Sequence, residues 1–521
     1  MANLIPLVTG DDRLMLLDPS QAVVSGTNPV QVDSGLPNQS PCSSGCTGSN
    51  HDTDQATSYS TGSINSSTGQ VSGIHGVVVV YVNAGKLYMV NLLSGANHTR
   101  VQVSNLTNLC GLDAKSSQQL ADYSNPTNSW VLVGQPGPDN TCYTSDDTEV
   151  AVQLSMSPTT TPPAVAGLTG AIAQHNASGA ITGFFDGEGT SGITLVLRNA
   201  SFGSPTTVAT VPSGGQVGVY QAGLQTIYFT GPLASSSPQL FQATATGLSS
   251  PLFTFVNGDP HSAFKHSASD ASNLYFADGN VIHSIARSGG TVNTLTTLAS
   301  GLTVTSSDIA LTATRLVISA SNTSGGGGIF SVANNASNAT ATVLGQDVTG
   351  TNFTNVFVET VDPAGLVYIN QTTGSSSGVS NSAISIHDDG TGASTIQGQW
   401  LGQADSTTIP NVNAQLQTAP SVVLRESYSV NGTGTASISS YNSSTGLFIA
   451  TLGSIANVNN PGTFGFGFAP YLGIISNVQY STTSKNDAYI ANVNSASSLA
   501  AVSTNNASTG NNSGNNTYVG E

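Results

Sequence analysis

The sequence predicts an all-β chain built from many copies of a small sheet. Residues that favour strands (Val, Ile, Thr, Tyr and Phe) recur in short bursts, whereas runs of helix-forming residues are scarce. Gly, of which there are 57, joins Ser, Thr and Asn in the segments between the bursts. Bursts such as Gly76–Tyr81 and Thr194–Arg198 are apolar enough to bury a core. We therefore expect a folded chain, although only 7% of its residues are charged.

The clearest copy of the repeat is Leu274–Thr291. Asp278–Asn280 has the composition of a tight turn between two strands, and Val281–Ile285 alternates with the period of a strand. Two glycines, at 289 and 290, supply the next turn, and residues 292–298 are predicted to form the outer strand. The order of events is strand, turn, strand, Gly-rich turn.

Similar units recur with a spacing of 41 residues (274 to 315) to 55 residues (366 to 421). A four-stranded propeller blade repeats about every 40–50 residues, and a β-sandwich does not produce this longer recurrence. We predict a single β-propeller of about eight four-stranded blades, with seven or nine as alternatives. The units begin near Val77, Trp130, Ile181, Thr226, Leu274, Arg315, Leu366, Ser421 and Tyr471.

Both ends of the chain are predicted to contribute to one blade. Arg13–Ser20 and Asn28–Val32 are typical of blade strands without a preceding partner, and the last unit, Tyr471–Ala496, lacks an outer half. Strands from both termini would close the ring and remove exposed sheet edges.

The chain is therefore divided into four parts. Residues 1–33 hold the N-terminal strands that complete the last blade, and residues 34–73 form a Ser/Gly-rich loop with a pair of cysteines. The blades occupy residues 74–496. Residues 497–521 are an Asn/Ser/Gly-rich tail with the composition of a disordered segment.

Two segments carry a resemblance to known blades. Leu274–Gly290 resembles the blades of YWTD and TolB-like propellers of secreted bacterial and surface proteins, with Phe276-Ala277 where Trp-Thr is usual. Ile384–Gly392 resembles the turn between the two outer strands of a TolB-type blade. The resemblance implies a propeller fold and leaves function open.

Charge narrows the range of partners. The formal net charge is −17, and the ten Lys and Arg residues are scattered singly along the chain. Binding to nucleic acid or to anionic lipid needs clustered positive charge, so we expect neither. No apolar stretch reaches the ~18–20 residues of a membrane-spanning helix. Cations, neutral glycans and protein surfaces remain as partners.

The chain has four cysteines, Cys42, Cys46, Cys110 and Cys142, which allow three disulfide pairings. Cys42 and Cys46 could close a small ring, which would leave Cys110 to pair with Cys142 across neighbouring repeats. A zinc site is the alternative, but the CxxxC spacing lacks a second cysteine or histidine pair nearby. In an exported protein, disulfides are the expected outcome.

An acidic loop, Gly137–Asp147, is the predicted metal site. Calcium takes six to eight oxygen ligands, and carboxylate and amide oxygens in such loops supply them. The alternative is an ordinary turn, because Asp and Asn are common turn residues. The expected calcium ligands are Asp139, Asn140, Asp146 and Asp147.

No catalytic set and no cofactor-binding motif are expected. Gly374–Gly378 matches a nucleophile elbow but lies in a Ser/Gly run without a following helix. Gly187–Gly192 matches a dinucleotide fingerprint, but a strand at Ile193–Leu197 follows it, so we predict a hairpin turn.

The leading functional hypothesis is a non-enzymatic structural or adhesive protein, extracellular or at the cell surface. It would self-associate into a filament or sheath through its termini. One alternative is a monomeric propeller that binds a glycan or a peptide. Another is a secreted polysaccharide lyase or glycosidase.

Overall fold

The computed structural model describes an all-β chain of antiparallel sheets, most of them four-stranded, with a 3-10 helix at Pro126–Asn128. The described residues are 4–36, 56–64, 71–93, 98–113, 117, 120–142, 147–154, 172–188, 193–211, 216–217, 227–230, 239–244, 247–257, 267–270, 272–286, 289–321, 327–346, 355–361, 365–375, 378–392, 394–395, 400–402, 412–418, 421–428, 433–442, 448–468, 470–480, 483–504 and 516–519.

The chain divides into two compact units. The first comprises Met1–Pro232, Phe241–Ser250 and Asn505–Glu521, and the second comprises Leu233–Leu240 and Pro251–Thr504. The strands up to residue 211 are β1 (Ile5–Thr9), β2 (Arg13–Leu17), β3 (Val30–Ser34), β4 (Ala56–Ile64), β5 (Val71–Asn83), β6 (Lys86–Asn91), β7 (Arg100–Gln102), β8 (Gly111–Asp113), β9 (Trp130–Gln135), β10 (Thr148–Gln153), β11 (Ile172–His175), β12 (Ile181–Glu188), β13 (Ile193–Asn199) and β14 (Thr206–Val211).

Five short strands follow where the chain passes between the units: β15 (Gln216–Val217), β16 (Ile227–Thr230), β17 (Gln239–Thr244), β18 (Gly247–Leu248) and β19 (Phe253–Thr254). The second unit then continues with β20 (Ala268–Ser269), β21 (Asn273–Asp278), β22 (Val281–Ala286), β23 (Asn293–Thr297), β24 (Thr303–Leu311), β25 (Arg315–Ser321), β26 (Gly327–Ala333), β27 (Thr342–Gln346), β28 (Asn355–Val361), β29 (Leu366–Ser375), β30 (Gly378–His387), β31 (Ser394–Thr395), β32 (Trp400–Gly402), β33 (Val412–Thr418), β34 (Ser421–Tyr428), β35 (Thr433–Asn442), β36 (Phe448–Phe468), β37 (Tyr471–Tyr480), β38 (Thr483–Asn492) and β39 (Ala500–Ser503). The last strand, β40 (Thr517–Tyr518), belongs to the first unit.

The predicted repeat corresponds to the sheets. Eight of the nine predicted unit starts lie within, or directly beside, the second strand of a sheet; β12, β25 and β29, for example, begin at the expected residue. The ninth, Tyr471, begins β37, which is the fifth strand of the seven-stranded sheet. Consecutive strands pair in order, as in β11-β12-β13-β14 and β20-β21-β22-β23. One sheet has seven strands, β33 to β39, because the 21-residue β36 pairs with β35 along its first part and with β37 along its second.

The turn predicted at Asp278–Asn280 is confirmed. Strands β21 and β22 pair in register through it, with Asp278 opposite Val281. Gly279 has a φ of +63°, and a Cβ there would lie 2.8 Å from the backbone oxygen of Asn257. Glycine is therefore required by both conformation and space. The outer strand expected at 292–298 is β23, Asn293–Thr297.

The core lies between successive sheets, and a central strand can be buried on both of its faces. The apolar burst in β5 shows this: Val77–Val82 is buried throughout. One face packs with Val131 and Val133 of β9, and the other packs with the N-terminal sheet. A strand buried on both faces needs a continuous apolar run, which is the pattern in the sequence.

Two expected boundaries differ from the structure. Residues 34–73 are not all loop, because β4 pairs with β5 from Ala56 to Ile64. The tail from 497 is not strand-free, because β39 completes the last sheet beside β38 and β40 pairs elsewhere. Strands β4 and β39 consist mainly of Ser, Thr, Ala and Gly, and β40 has only two residues, so local composition does not distinguish them from loops.

Candidate functional site: the C-terminal strand in the N-terminal sheet

The N-terminal sheet takes strands from both ends of the chain, as expected. Contrary to the sequence prediction, the N-terminal strands do not complete the unit Tyr471–Ala496, because β39 completes that unit and the C-terminal partner of β1 is β40. The order of the N-terminal sheet is β3-β2-β1-β40, all antiparallel. Strand β40 pairs with β1 at two positions, Leu7 with Tyr518 and Val8 with Thr517. The C-terminal strand thereby covers the edge of β1 that would otherwise expose unpaired backbone groups.

Side chains hold this short strand in place. Tyr518 is fully buried, and Val519 joins the cluster of Val8, Leu14 and Tyr81. The side-chain oxygen of Asn516 accepts a buried hydrogen bond of 3.0 Å from the backbone N–H of Gly10. Three of the four residues 516–519 therefore contribute burial or a hydrogen bond to the first unit.

Backbone hydrogen bonds extend the contact beyond the two paired residues. The N–H of Val519 donates to the carbonyl oxygen of Pro6 at 3.0 Å. The Ser58 hydroxyl, on β4, donates to the carbonyl oxygen of Val519 at 3.4 Å. The C-terminal strand thus contacts the N-terminal sheet and the sheet that follows it.

A cleft of about 600 Å³ opens beside β3, the opposite edge of the same sheet. Its walls include the apolar side chains of Leu16 and Val32, and Val30 is 55% exposed. Polar groups at the cleft include Asp18, His98 and Arg100. Volumes of about 300–1,000 Å³ are typical of small-ligand sites.

A charged cluster links β3 to the next sheet beside this cleft. The Arg100 guanidinium donates to the Asp33 carboxylate, and the Tyr81 hydroxyl donates to the same carboxylate at 2.9 Å. Burial alone would raise the pKa of Asp33. Hydrogen bonds from Asn83, the Ser34 N–H, Arg100 and Tyr81 outweigh burial and hold that pKa below 3.8. Burial, and then the neighbouring Asp33, raise the pKa of Tyr81.

The described residues of the predicted calcium loop make turn contacts. The Asp139 carboxylate accepts the Thr141 N–H at 2.8 Å, and the Asp147 carboxylate accepts the Gly137 N–H at 3.1 Å. Asn140 has a φ of +54°. Asp146 lies outside the described residues. Among the described residues, no group of three or more His, Cys, Asp or Glu could hold a metal ion. Calcium binding stays a prediction.

Of the predicted disulfides, one pair is at bonding distance. Cys110 and Cys142 have their sulfurs 2.12 Å apart and their Cα atoms 5.2 Å apart. The bond joins the segment before β8 to the acidic loop after β9, 32 residues on. Cys42 and Cys46 lie outside the described residues.

The two motifs that resemble catalytic or nucleotide-binding loops lie in hairpins. Strands β29 and β30 pair up to Ser375 and Gly378, and β12 and β13 pair up to Glu188 and Thr194. The antiparallel pairing of β12 with β13 agrees with the predicted hairpin, and residues 189–192 lie outside the described residues. In the part of the chain that the structure describes, no helix is long and apolar enough to cross a bilayer.

The sequence prediction missed the individual residues that hold the C-terminal strand. Asn516, Tyr518 and Val519 stand in a segment with the composition of a disordered tail. The available signal was the pair Tyr518-Val519, two large strand-forming residues after a long stretch of Asn, Ser and Gly.

Comparison with known proteins assigns no family. No family model matches, and no curated protein matches. Among solved structures, a eukaryotic initiation factor is similar at 10% identity and a TM-score of 0.43, with 97% of each chain covered. The dihydro-heme d1 dehydrogenase NirN is similar at 12% identity and a TM-score of 0.37, covering 89% of this chain and 74% of the other. A prolyl endopeptidase is similar at 8% identity and a TM-score of 0.33, covering 69% of this chain and 51% of the other. Likenesses of this size assign no activity.

Proposed function

We propose that the chain is a β-propeller acting as a non-enzymatic structural or adhesive protein of the extracellular space or cell surface, and that copies assemble through exchange of the C-terminal strand. The observation that carries the proposal is the seating of residues 516–519 on β1. A strand at one end of the chain that completes a sheet at the other end can do so within one copy or between two.

Three features support the propeller. Sheets of about four strands follow one another along the chain, and successive sheets pack face to face with both faces buried. A sheet shared by both termini is the usual closure of such a ring. We expected eight blades. The described strands form nine sheets. The blade number depends on whether the seven-stranded sheet counts as one blade or as two.

Compartment and charge support an extracellular role. The Cys110–Cys142 pair is the kind of bond that persists in oxidising compartments. With ten Lys and Arg against 27 Asp and Glu, the chain repels copies of itself unless a specific contact joins them. Strand exchange is such a contact, because it uses main-chain hydrogen bonds and buried apolar groups.

A connecting segment between β39 and β40 allows β40 to reach more than one position. Eleven residues, 505–515, separate Thr504 from Asn516. A segment of eleven residues spans at most about 40 Å when fully extended. The same four residues can then seat on their own β1 or on that of a neighbour, with identical hydrogen bonds and burial.

Truncation after Thr504 tests the proposal. This cut removes β40 but keeps β39, which belongs to the last sheet of the second unit. We expect the full chain to form filaments or higher oligomers by electron microscopy and light scattering, and the truncated chain to remain as single copies. A synthetic peptide of residues 505–521 should bind the truncated chain and block assembly of the full chain.

The control peptide carries Tyr518→Ala, which keeps the backbone of β40 and removes its largest buried side chain. It should bind far more weakly and leave assembly intact. If the truncated chain assembles as the full chain does, or if the full chain stays a single copy at every concentration, strand exchange is wrong.

The cleft beside β3 favours a second candidate, a propeller module that binds a peptide or glycan. An exposed edge strand next to a partly apolar cleft suits an extended peptide. This candidate predicts single copies that bind a ligand, with binding lost on Val30→Asp. A lyase or glycosidase would instead show turnover of a polysaccharide, lost on substitution of a carboxylate.

A further inference from the structure

A second, open cavity of about 490 Å³ lies at the surface of the second unit, and most of its lining residues are polar. Nine of its ten described lining residues have polar side chains, and Ala286 is the exception. The lining comes from the turn before β21, from β21 to β23 and from the turn after β26. Its central residues are Asp270, Asn273, Tyr275, Asn293, Asn334 and Asn335.

One side of the cavity is held rigid by hydrogen bonds. The Asp270 carboxylate accepts the N–H groups of Ser272 and Asn273, both at 2.7 Å, and the Tyr275 hydroxyl at 2.7 Å. The Asn273 side-chain amide donates to the Tyr275 hydroxyl at 3.3 Å. The Asn293 amide, on β23, donates to the carbonyl oxygen of Ala336 at 2.7 Å. These bonds fix the positions of an oxygen-rich and amide-rich wall.

Two amides in the lining are not engaged by any residue that the structure describes. The side chains of Asn334 and Asn335 make no hydrogen bond with any described residue, although the backbone N–H of Asn334 donates to Thr314. Each amide carries two donors and an acceptor with two lone pairs. Both side chains line the same cavity as Asp270 and Tyr275, so a ligand there meets donors and acceptors from two segments of the chain.

Charge selects the ligand class. Asp270 is the single charged group among the described lining residues, and no Lys or Arg is among them. An anionic ligand would face that carboxylate within a chain of net charge −17. A calcium ion needs six to eight oxygen ligands. Asp270 is the one carboxylate at this cavity, and it already accepts three hydrogen bonds, so the described lining does not suit calcium. Hydroxyl groups, which both donate and accept, match amides and a carboxylate.

We propose that this cavity binds a neutral carbohydrate, a short segment of uncharged glycan whose hydroxyls pair with Asn334, Asn335, Asn273 and Asp270. The volume fits a small ligand. The site would give an adhesive role its ligand class. It stands apart from strand exchange, because none of its residues belongs to β1 or β40.

The test uses the full chain produced in a bacterial host, so that the sequon at Asn335 carries no glycan. The chain is applied to an array of neutral and uronic-acid-containing oligosaccharides, and hits are measured by isothermal titration calorimetry. We expect neutral members to bind. Each of Asn334→Ala and Asn335→Ala should weaken binding about five-fold, the usual effect of one hydrogen bond.

Asn105→Ala is the matched control, because Asn105 is exposed and lies outside the cavity. It should leave binding unchanged, and light scattering should show that no variant alters assembly. No binding to any neutral oligosaccharide overturns the proposal, as does binding only to acidic ones. Calcium binding that the same variants abolish, without glycan binding, identifies a cation site instead and also overturns it. If the full chain binds glycan but does not assemble, strand exchange is wrong and the glycan proposal stands.

Discussion

Tyr518→Ala should destabilise the first unit strongly, although it changes the fourth residue from the C-terminus. The side chain is fully buried, it is one of the largest fully buried side chains among the described residues, and its strand pairs with β1. Truncating a buried aromatic side chain to alanine costs about 3–5 kcal/mol. Single domains are stable by about 5–15 kcal/mol, so this is a large part of the total.

The assay follows the unit through its own tryptophan. Trp130 is buried in the first unit, and replacing Trp400 with Phe leaves it as the single tryptophan. With a urea m-value of about 2–3 kcal/mol/M, a loss of 3–5 kcal/mol lowers the midpoint by about 1–2.5 M.

Thr517→Val is the matched control, because Thr517 is the exposed residue of the same strand and Val keeps its β-branched shape. We expect its free energy of unfolding to stay within about 0.5 kcal/mol of the parent. If Tyr518→Ala shifts the midpoint no more than Thr517→Val does, the C-terminal strand is not seated on β1 and our account of the N-terminal sheet fails.

Three further predictions concern other parts of the chain. In a background with Cys42 and Cys46 replaced by Ser, Cys142→Ser should lower the free energy of unfolding by about 4 kcal/mol, because the Cys110–Cys142 bond closes a 32-residue loop. An equal urea midpoint with and without reductant would count against the bond. Burial lowers the pKa of His175, so the free energy of unfolding should fall as the pH drops from 6.5 through that lowered pKa. In urea midpoints measured across this pH range, His175→Gln should remove the step. An unchanged pH profile would exclude His175 as its cause. Gly279→Ala should cost about 1–3 kcal/mol in the second unit because of its positive φ and the nearby Asn257 oxygen, and thermal unfolding unchanged by the substitution would contradict the turn geometry.

The repeat could be predicted from the sequence because each sheet has an apolar second strand. Runs such as Val77–Tyr81 and Arg315–Ser321 are buried on both faces, and a continuous apolar burst is visible without any knowledge of its partners. Turns with a strict backbone requirement, such as Asp278–Asn280, are equally local. Strand order within a sheet then follows from sequence order.

The seating of the C-terminal strand could not be predicted in detail because its partners are distant in sequence. Asn516 and Gly10 are 506 residues apart, and neither has a local pattern that indicates the other. Strand β40 has two paired residues, too few for a period to be recognised. The polar cavity was missed for the same reason: Asn334 and Asn273 lie in different repeats of an Asn-rich chain.

Cross-linking between β1 and β40 tests the central claim most directly. Val8 and Thr517 are register partners, so Val8→Cys and Thr517→Cys, in a background with Cys42 and Cys46 replaced by Ser, should form a disulfide under mild oxidation. We predict a ladder of covalent multimers on non-reducing gels of assembled material, because the bond joins neighbouring copies. Cross-linked single copies in assembled material would contradict exchange, and no cross-link at all would contradict the pairing itself.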